Sequence, residues 1–256
     1  MCSRESAAAL GDEAGVLAVS VVSHGHKRLV QALLDDMARH GDSTVTRVVL
    51  TLNLPEDLPQ APLNGWPFVL QVIRNASPKG FGANHNYALR DAAEPFVCVL
   101  NPDVRWMGGG PLRALVHSAA VAGVGCSYPA QVDSMGRLQD SERELPTPMT
   151  LLRRRVFKRR EVRVDWVNGA CLVLPTPAWV AVGGFDEAYF MYCEDVDLCL
   201  RLRLAGWTLM CAPVQVVHAG QRTSNRHWSH LIWHVKSLLR FWSSPVYRQA
   251  RQMLRL

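Results

Sequence analysis

Short valine-rich runs alternate along this chain with stretches whose apolar residues recur at helical spacing. That alternation points to an α/β fold, a mostly parallel sheet with helices on its faces. Leu17-Ala-Val-Ser-Val-Val-Ser23 reads as a buried first strand bounded by Gly15 and Gly25. Residues 27–39 then carry Leu29, Val30, Leu33, Leu34 and Met37 on one helical stripe, with Gly41 as its stop. Strands follow at 45–52 and 68–73, separated by a polar loop that holds Pro55, Pro59, Pro62 and Pro67. A helix at 82–93 leads to an apolar strand at 95–100. Beyond it the pattern predicts a helix near 110–122, a strand near 124–128, irregular chain over 129–148, and a strand over 164–174 broken at Asn168-Gly169. A short helix at 178–182 and a strong one at 193–205 come next. The latter has acids in its first turn, arginines in its last, and Gly206 as its stop.

The strand at 95–100 runs straight into Asn101-Pro102-Asp103, delivering a carboxylate to the carboxyl edge of the sheet, where open α/β folds bind ligands. A carboxylate so placed can hold Mg²⁺ or Mn²⁺ together with phosphate oxygens, although Asn-Pro-Asp is also ordinary turn chemistry. His218 closes the apolar run 214–217 and can complete a mixed oxygen and nitrogen site, or serve as a structural hydrogen-bonder. Glu194 and Asp195 open the helix at 193–205 behind the aromatic stretch Tyr189-Phe-Met-Tyr192. Acids there complement the helix dipole, and a carboxylate beside an apolar wall is also more basic, as a general base requires. Asp197 lies two residues on as a cap or packing partner. Ser77-Pro-Lys-Gly-Phe-Gly82 precedes a helix and carries a weak phosphate-binding signal, without matching a P-loop or dinucleotide fingerprint.

The formal charge of +6 is uneven. Residues 220–256 hold seven Lys or Arg and no acid, leaving 21 basic against 22 acidic residues elsewhere. Residues 153–163 form a second basic block, seven basic residues against Glu161. Two patches on a slightly acidic body fit a specific anionic surface and argue against nucleic acid as a partner. In the tail, Trp228, Leu231, Ile232, Val235, Leu238, Leu239 and Trp242 share a helical stripe. That stripe can pack on the body, lie on an anionic membrane, or do both. No apolar run reaches the ~18 residues of a membrane span. The seven cysteines include no Cys-x-x-Cys pair and read as buried thiols in a reducing compartment. Residues 1–15 lack the apolar core of a secretory signal and read as a frayed, flexible tail.

Several segments, in order over residues 17–220, together resemble family 2 inverting glycosyltransferases of the bacterial rhamnosyltransferase-like branch. They are Val19-Ser-Val-Val22, Arg74-Asn75 with Lys79-Gly-Phe-Gly82 and Asn86, Leu100-Asn-Pro-Asp103, Asp165-Trp-Val-Asn-Gly-Ala-Cys171, Gly183-Gly-Phe-Asp-Glu187, Phe190-Met-Tyr-Cys-Glu-Asp-Val-Asp197 continuing to Arg203, Ala205-Gly-Trp207 and Val217-His218. The resemblance implies a GT-A domain over 16–220, followed by a basic amphipathic helical extension over 221–256. It implies Asp195 as catalytic base, Glu194, Asn168 and Gly169 at the acceptor, and Asp103 with His218 holding Mg²⁺ or Mn²⁺ on the donor diphosphate. Ser23, Asn53, Asn75, Lys79, Gly80 and Asn101 would join Asp103 in binding the donor. The preferred donor is dTDP-L-rhamnose, with UDP-hexoses open. The acceptor is a saccharide or polyprenyl-linked glycan of a bacterial surface polymer, and the tail holds the enzyme peripherally at the cytoplasmic leaflet of the plasma membrane. Two departures stand out: the second strand ends Leu50-Thr-Leu-Asn53 where the family usually has Asp-Asn, and the first loop reads Ser23-His-Gly-His26. The first keeps open a second reading, a non-catalytic sugar-nucleotide-binding or scaffold protein of the same fold.

Overall fold

The structure is a computed structural model describing residues 15–40, 43–157, 161, 163–218 and 228–255. The N-terminal tail expected over 1–15 lies outside these, apart from Gly15. The first half follows the sequence pattern with one strand added, β5: β1 (Leu17–Ser23), α1 (Lys27–Arg39), β2 (Val45–Leu52), β3 (Val69–Arg74), α2 (Phe81–Leu89), β4 (Phe96–Leu100), β5 (Val104–Trp106) and α3 (Leu112–Ala119). Then come β6 (Val124–Val132), β7 (Glu142–Arg143), α4 (Pro148–Phe157), β8 (Trp166–Val167), β9 (Cys171–Pro175), α5 (Thr176–Val182), α6 (Glu194–Leu204), β10 (Thr208–His218), α7 (Trp228–Ser243) and α8 (Pro245–Met253).

Eight strands form one sheet in the order β3-β2-β1-β4-β9-β6-β10-β5, and β7 pairs with β8 separately. β3, β2, β1 and β4 run parallel, as do β6 and β10, while β9 is antiparallel to both β4 and β6. Because β9 reverses direction once on each side, β6 and β10 point the same way as β1–β4. Strand residues alternate between two apolar layers, as a sheet covered on both faces requires. Phe96, Cys98 and Leu100 of β4 pack with Val30, Leu33, Leu34 and Met37 of α1 and with α3, whereas Val97 and Val99 pack with Leu89 of α2, Trp179 of α5 and Leu198 and Leu202 of α6.

The irregular chain expected over 129–148 is only partly so. β6 continues through Pro129 to Val132, β7 takes Glu142–Arg143 and α4 begins at Pro148, while 133–141 and 144–147 are connecting chain. Proline cannot donate to a ladder. Here Pro129 lies opposite Ala212, and β10 shifts register between Ala212 and Gln215, so the pairing resumes beyond it. The break at Asn168-Gly169 does divide the strand expected over 164–174, into β8 and β9.

α7 and α8 pack on the body. Phe241, Tyr247 and Ala250 share a buried cluster with Leu145, Tyr189, Cys193, Val196 and Leu200. The tail's apolar stripe is therefore split: Leu238 and Trp242 face that cluster, while Leu231, Ile232, Val235 and Leu239 stand outward and exposed. The side chain of Trp228 and residues 221–227 lie outside the described residues. Among the described residues, no helix is long and apolar enough to cross a membrane.

Candidate active site

Parallel strands bring their carboxyl ends to one edge. Ser23, Asn53, Asn75 and Asn101 follow or end β1, β2, β3 and β4 there. The reversed β9 starts at the same edge, since Cys171 pairs with Leu100, so the turn Asn168-Gly169-Ala170 arrives beside β4 and the Asn101 N–H donates to the Ala170 carbonyl at 2.8 Å. β6 and β10 deliver Gln131 and His218 to this edge.

β5 turns back antiparallel to β10 with Val104 opposite His218, which sets Asp103 beside the imidazole. His218 Nε2 lies 3.4 Å from Asp103 Oδ1, with both side chains 15% exposed. Arg105 braces the turn, donating to the carbonyls of Pro102, Val104 and, on α1, Leu29. An oxygen and an imidazole nitrogen suit Mg²⁺ or Mn²⁺, and neighbouring ligands ~2.1 Å from one octahedral cation stand ~3 Å apart, so the pair fits such an ion. Among the described residues, no cluster of three or more His, Cys, Asp or Glu is placed to hold a metal. Asp103 and His218 would supply two ligands and leave the remaining positions to substrate and water.

Glu194 and Asp195 begin α6 after a strained turn, in which Tyr192 and Cys193 both hold left-handed backbone (φ 73° and 66°). Contacts from α7 hold this turn: Ser237 Oγ donates to the Met191 carbonyl at 2.8 Å, and the Tyr192 hydroxyl meets His230 Nδ1 at 2.9 Å. The Asp195 carboxylate accepts from the Gly169 N–H at 3.3 Å and the Val196 N–H at 2.8 Å. Burial nevertheless raises its pKa from 3.8 to about 6. Glu194 is more deeply buried, and its Oε2 has no hydrogen-bond partner. Desolvation, with the neighbouring Asp195 charge, pushes it well above the ordinary carboxylate range. Environment thus raises both adjacent carboxyls, Asp195 through burial and Glu194 through burial and the Asp195 charge beside it. Asp197 faces away and bonds Arg201 at 2.6 Å, as a packing partner.

At the end of β2 on the same sheet edge, Asn53 is buried and fully engaged. Its Oδ1 accepts from the Lys79 N–H and from Asn75 Nδ2, both at 2.8 Å, and its Nδ2 donates to the Lys79 carbonyl at 3.0 Å and meets His24 Nδ1 at 3.1 Å. Asn84 adds bonds to Asn75 and to the Lys79 and Gly80 carbonyls. This amide cluster fixes the loop over 75–80 against β2. The Lys79 ammonium stands 5.0 Å from the centre of the Tyr87 ring. Ser23 is buried, its hydroxyl accepting from the His26 N–H at 3.1 Å. A Cβ on Gly80 would come within 2.8 Å of the Phe190 carbonyl, which also accepts from the Phe81 N–H at 2.9 Å. Only glycine allows the two loops flanking the cleft to meet so closely.

Sequence reasoning named neither Gln131 nor Gln139, because both lie in the stretch read as irregular. Gln131 joins Asn168 in a reciprocal amide pair and contacts His218 Nδ1 at 3.0 Å, while Gln139 Nε2 donates to the His218 carbonyl at 2.8 Å. A continuous chain of contacts therefore runs from Asp103 through His218, Gln131 and the Asn168–Gly169 turn to Asp195. Asp165, buried between Arg163 (2.7 Å) and Arg203 (3.0 Å), anchors that turn's approach to α6. Burial opposes its ionisation, but the bonds from Arg163, the Leu145 N–H and Arg203 hold its pKa below the usual value.

The family model described as "Glycosyltransferase like family 2" matches residues 14–243. An N-acetylglucosaminyl-diphospho-decaprenol L-rhamnosyltransferase of Mycobacterium tuberculosis is 29% identical over 271 residues, covering 90% of this chain and 88% of its own. Rhamnosyltransferase WbbL of Escherichia coli K12 is 26% identical over 244 residues, covering 87% and 91%. A solved structure, mannosyltransferase PcManGT from Pyrobaculum calidifontis in complex with GDP-Man and Mn²⁺, matches with a TM-score of 0.63 at 18% identity over 94% of this chain and 70% of that one. That likeness is one of fold, and it agrees with the GT-A architecture anticipated from the motifs. With the family model spanning most of its length and the sheet built as described, this chain belongs to glycosyltransferase family 2.

Proposed function

We propose that the chain is a metal-dependent inverting glycosyltransferase that moves L-rhamnose from dTDP-L-rhamnose to a saccharide carried on a polyprenyl lipid, in the synthesis of a bacterial surface polysaccharide. The observation that carries the reading is the contact chain joining Asp103 and His218 to Asp195 across a single sheet edge. The sugar and the lipid-borne acceptor draw their support from the names of the Mycobacterium tuberculosis and Escherichia coli relatives.

Asp195 removes the proton of the acceptor hydroxyl as that oxygen attacks the anomeric carbon, on the face opposite the diphosphate. The bond from the anomeric carbon to the diphosphate oxygen breaks and the configuration inverts. Asp103 and His218 would hold Mg²⁺ or Mn²⁺, which when bound neutralises the charge developing on the leaving diphosphate. Glu194 contacts the acceptor, and Asn168 and Gly169 shape the floor beneath it. Ser23, Asn75, Lys79, Gly80 and Asn101 border the donor, and Asn53 acts by holding the loop over 75–80 in place.

The outward stripe of Leu231, Ile232, Val235 and Leu239, rimmed by exposed Lys236, suits the surface of an anionic membrane. Arg248, Arg251 and Arg255 are exposed nearby in sequence, and the extension over 221–256 contains no acid to oppose them. On this reading the enzyme sits on the cytoplasmic face of the plasma membrane, next to its lipid-linked acceptor.

The test is incubation with dTDP-L-rhamnose or UDP-hexoses and Mn²⁺, with and without a polyprenyl-diphosphate-linked sugar. Release of dTDP with rhamnosylated lipid is the expected outcome. A donor that is neither bound nor consumed would leave only a scaffold of the same fold, and consumption of a UDP-hexose alone would replace the sugar assignment.

A further inference from the structure

We infer that Gln131 is a positioning residue: it fixes His218 in the tautomer whose Nε2 lone pair faces Asp103, and it ties that ligand to the Asn168–Ala170 turn beside the base. The polarity of the network can be read from one unambiguous donor. The Ala170 N–H meets Asn168 Oδ1 at 3.3 Å, so this terminal atom of Asn168 is its oxygen. The other terminal atom is then the amide nitrogen, and it donates to Gln131 at 2.9 Å, which makes the receiving atom Oε1. Gln131 Nε2 returns a bond to Asn168 Oδ1, closing the pair. The same Oε1 lies 3.0 Å from His218 Nδ1. A carboxamide oxygen only accepts, so Nδ1 carries the proton and, in neutral imidazole, Nε2 is left with its lone pair.

In that neutral form Nε2 faces the Asp103 carboxylate oxygen at 3.4 Å, acceptor against acceptor, a pair that would hold a divalent cation. Without Gln131 the ring could place its proton on Nε2, where it would bond Asp103 and block the ligand position. Gln131 is well suited to the task. It is 1% exposed, so its amide cannot turn to water, and it pairs with Val216 across the ladder, two residues from His218 on the adjacent strand. Its backbone carbonyl also accepts from the Gln139 N–H at 2.8 Å, and Gln139 Nε2 holds the His218 carbonyl at 2.8 Å. The link to Asn168 continues through Gly169 to Asp195, so one side chain registers the leaving-group side of the cleft against the acceptor side. The functional consequence rests on Asp103 and His218 being the cation site; the tautomer does not.

The test is ¹⁵N NMR of the metal-free full chain labelled at histidine, in mildly alkaline buffer, with His218 identified by its loss in His218→Ala. The wild type should show a protonated Nδ1 and an unprotonated Nε2. Gln131→Met, close in volume but lacking the oxygen, should shift His218 towards the Nε2–H form, and Gln131→Glu should preserve Nδ1–H. Nε2–H in the wild type, or a tautomer unmoved in Gln131→Met, overturns the inference. The wild-type spectrum decides the assignment even if Gln131→Met fails to fold. Titration with Mn²⁺ alone, read by broadening of the His218 signals, should be weakened about 10–100-fold in Gln131→Met and not in Gln131→Glu. Equal Mn²⁺ affinity despite a switched tautomer overturns the positioning role. If Mn²⁺ leaves His218 of the wild type unbroadened, the cation site falls, and the positioning role towards it falls too, while the tautomer result stands.

Discussion

Replacing Asp195 by Asn separates charge from shape at the proposed base. Burial raises Asp195 from 3.8 to about 6, a displacement of ~2 units at about 1.4 kcal/mol each. At neutral pH the native state therefore gives up ~3 kcal/mol of stability to keep this carboxylate ionised. An asparagine can still accept from the Val196 N–H but turns an amide nitrogen towards the Gly169 N–H, losing one bond worth ~1 kcal/mol. Asp195→Asn should thus be more stable than wild type by about 1–2 kcal/mol at neutral pH, a rise in Tm of roughly 2–6 °C for a chain of this size. The folded-state pKa lies above the unfolded one, so the cost in wild type is absent below about pH 4, grows between about pH 4 and pH 6, and is complete above. The Tm difference between variant and wild type should open across that same window. Because the base must be ionised, wild-type kcat/KM should fall tenfold per pH unit below about pH 6, and the variant should lose ~10²–10⁴ in turnover. Calorimetric scans and initial rates over this pH range measure both. A less stable variant whose deficit ignores pH, an acid limb near pH 4, or near-normal transfer by Asp195→Asn would refute the reasoning.

Asn53→Ala removes the hub that holds the loop over 75–80, so donor KM should rise about tenfold with kcat little changed, as one buried bonding group of ~1–3 kcal/mol implies; calorimetry with the nucleoside diphosphate checks it. Asp165→Ala leaves Arg163, Arg203 and the Leu145 N–H without their shared acceptor, and its urea midpoint should report a loss of about 3–5 kcal/mol. Excess chelator should abolish transfer, with Mg²⁺ or Mn²⁺ restoring it in wild type but not in Asp103→Ala. Changing Leu231, Val235 and Leu239 together to Ser removes exposed apolar surface only, so it should weaken binding to anionic vesicles about 10–100-fold while leaving Tm unchanged within about a degree.

How much of this was legible in the sequence depended on what each element is buried against. Strands β1, β2 and β4 and helix α1 declare themselves because nearly all the residues they bury are apolar, with Ser20, Ser23 and Thr51 as the exceptions. Helix α6 is readable from its terminal charges alone. α4 and β5 were not foreseen. α4 shows Met149, Leu152, Val156 and Phe157 on its exposed side, so its stripe does not mark a core face, and β5 is three residues long and exists only as the partner of β10. Pro129 concealed the second half of β6, and with it Gln131. The positions of Asp103 and Asp195 at the sheet edge were readable because each ends or opens a clearly patterned element. The amide contacts of Asn53 and Gln131 depend on long-range pairing that no local pattern records.

The tail helix α7 shows why a segment outside the α/β layers belongs to the site. Two consecutive non-glycine residues in left-handed backbone, Tyr192 and Cys193, each cost of order 1–3 kcal/mol and persist only where the surroundings hold them. Such a turn delivers Glu194 and Asp195 into the cleft instead of into the helix's solvated first turn, where their pKa values would stay ordinary. The surroundings that hold it are α7: Ser237 on the Met191 carbonyl, His230 on the Tyr192 hydroxyl, the His234 ring 4.9 Å from Tyr192, and Trp233 5.0 Å from Phe190. α7 in turn is fixed by Phe241 in its buried cluster and by the Trp242 indole on the Pro146 carbonyl. The basicity of Asp195 is therefore a product of desolvation, desolvation follows from the turn, and the turn is stable because a helix with an unused apolar face on its far side is packed against it.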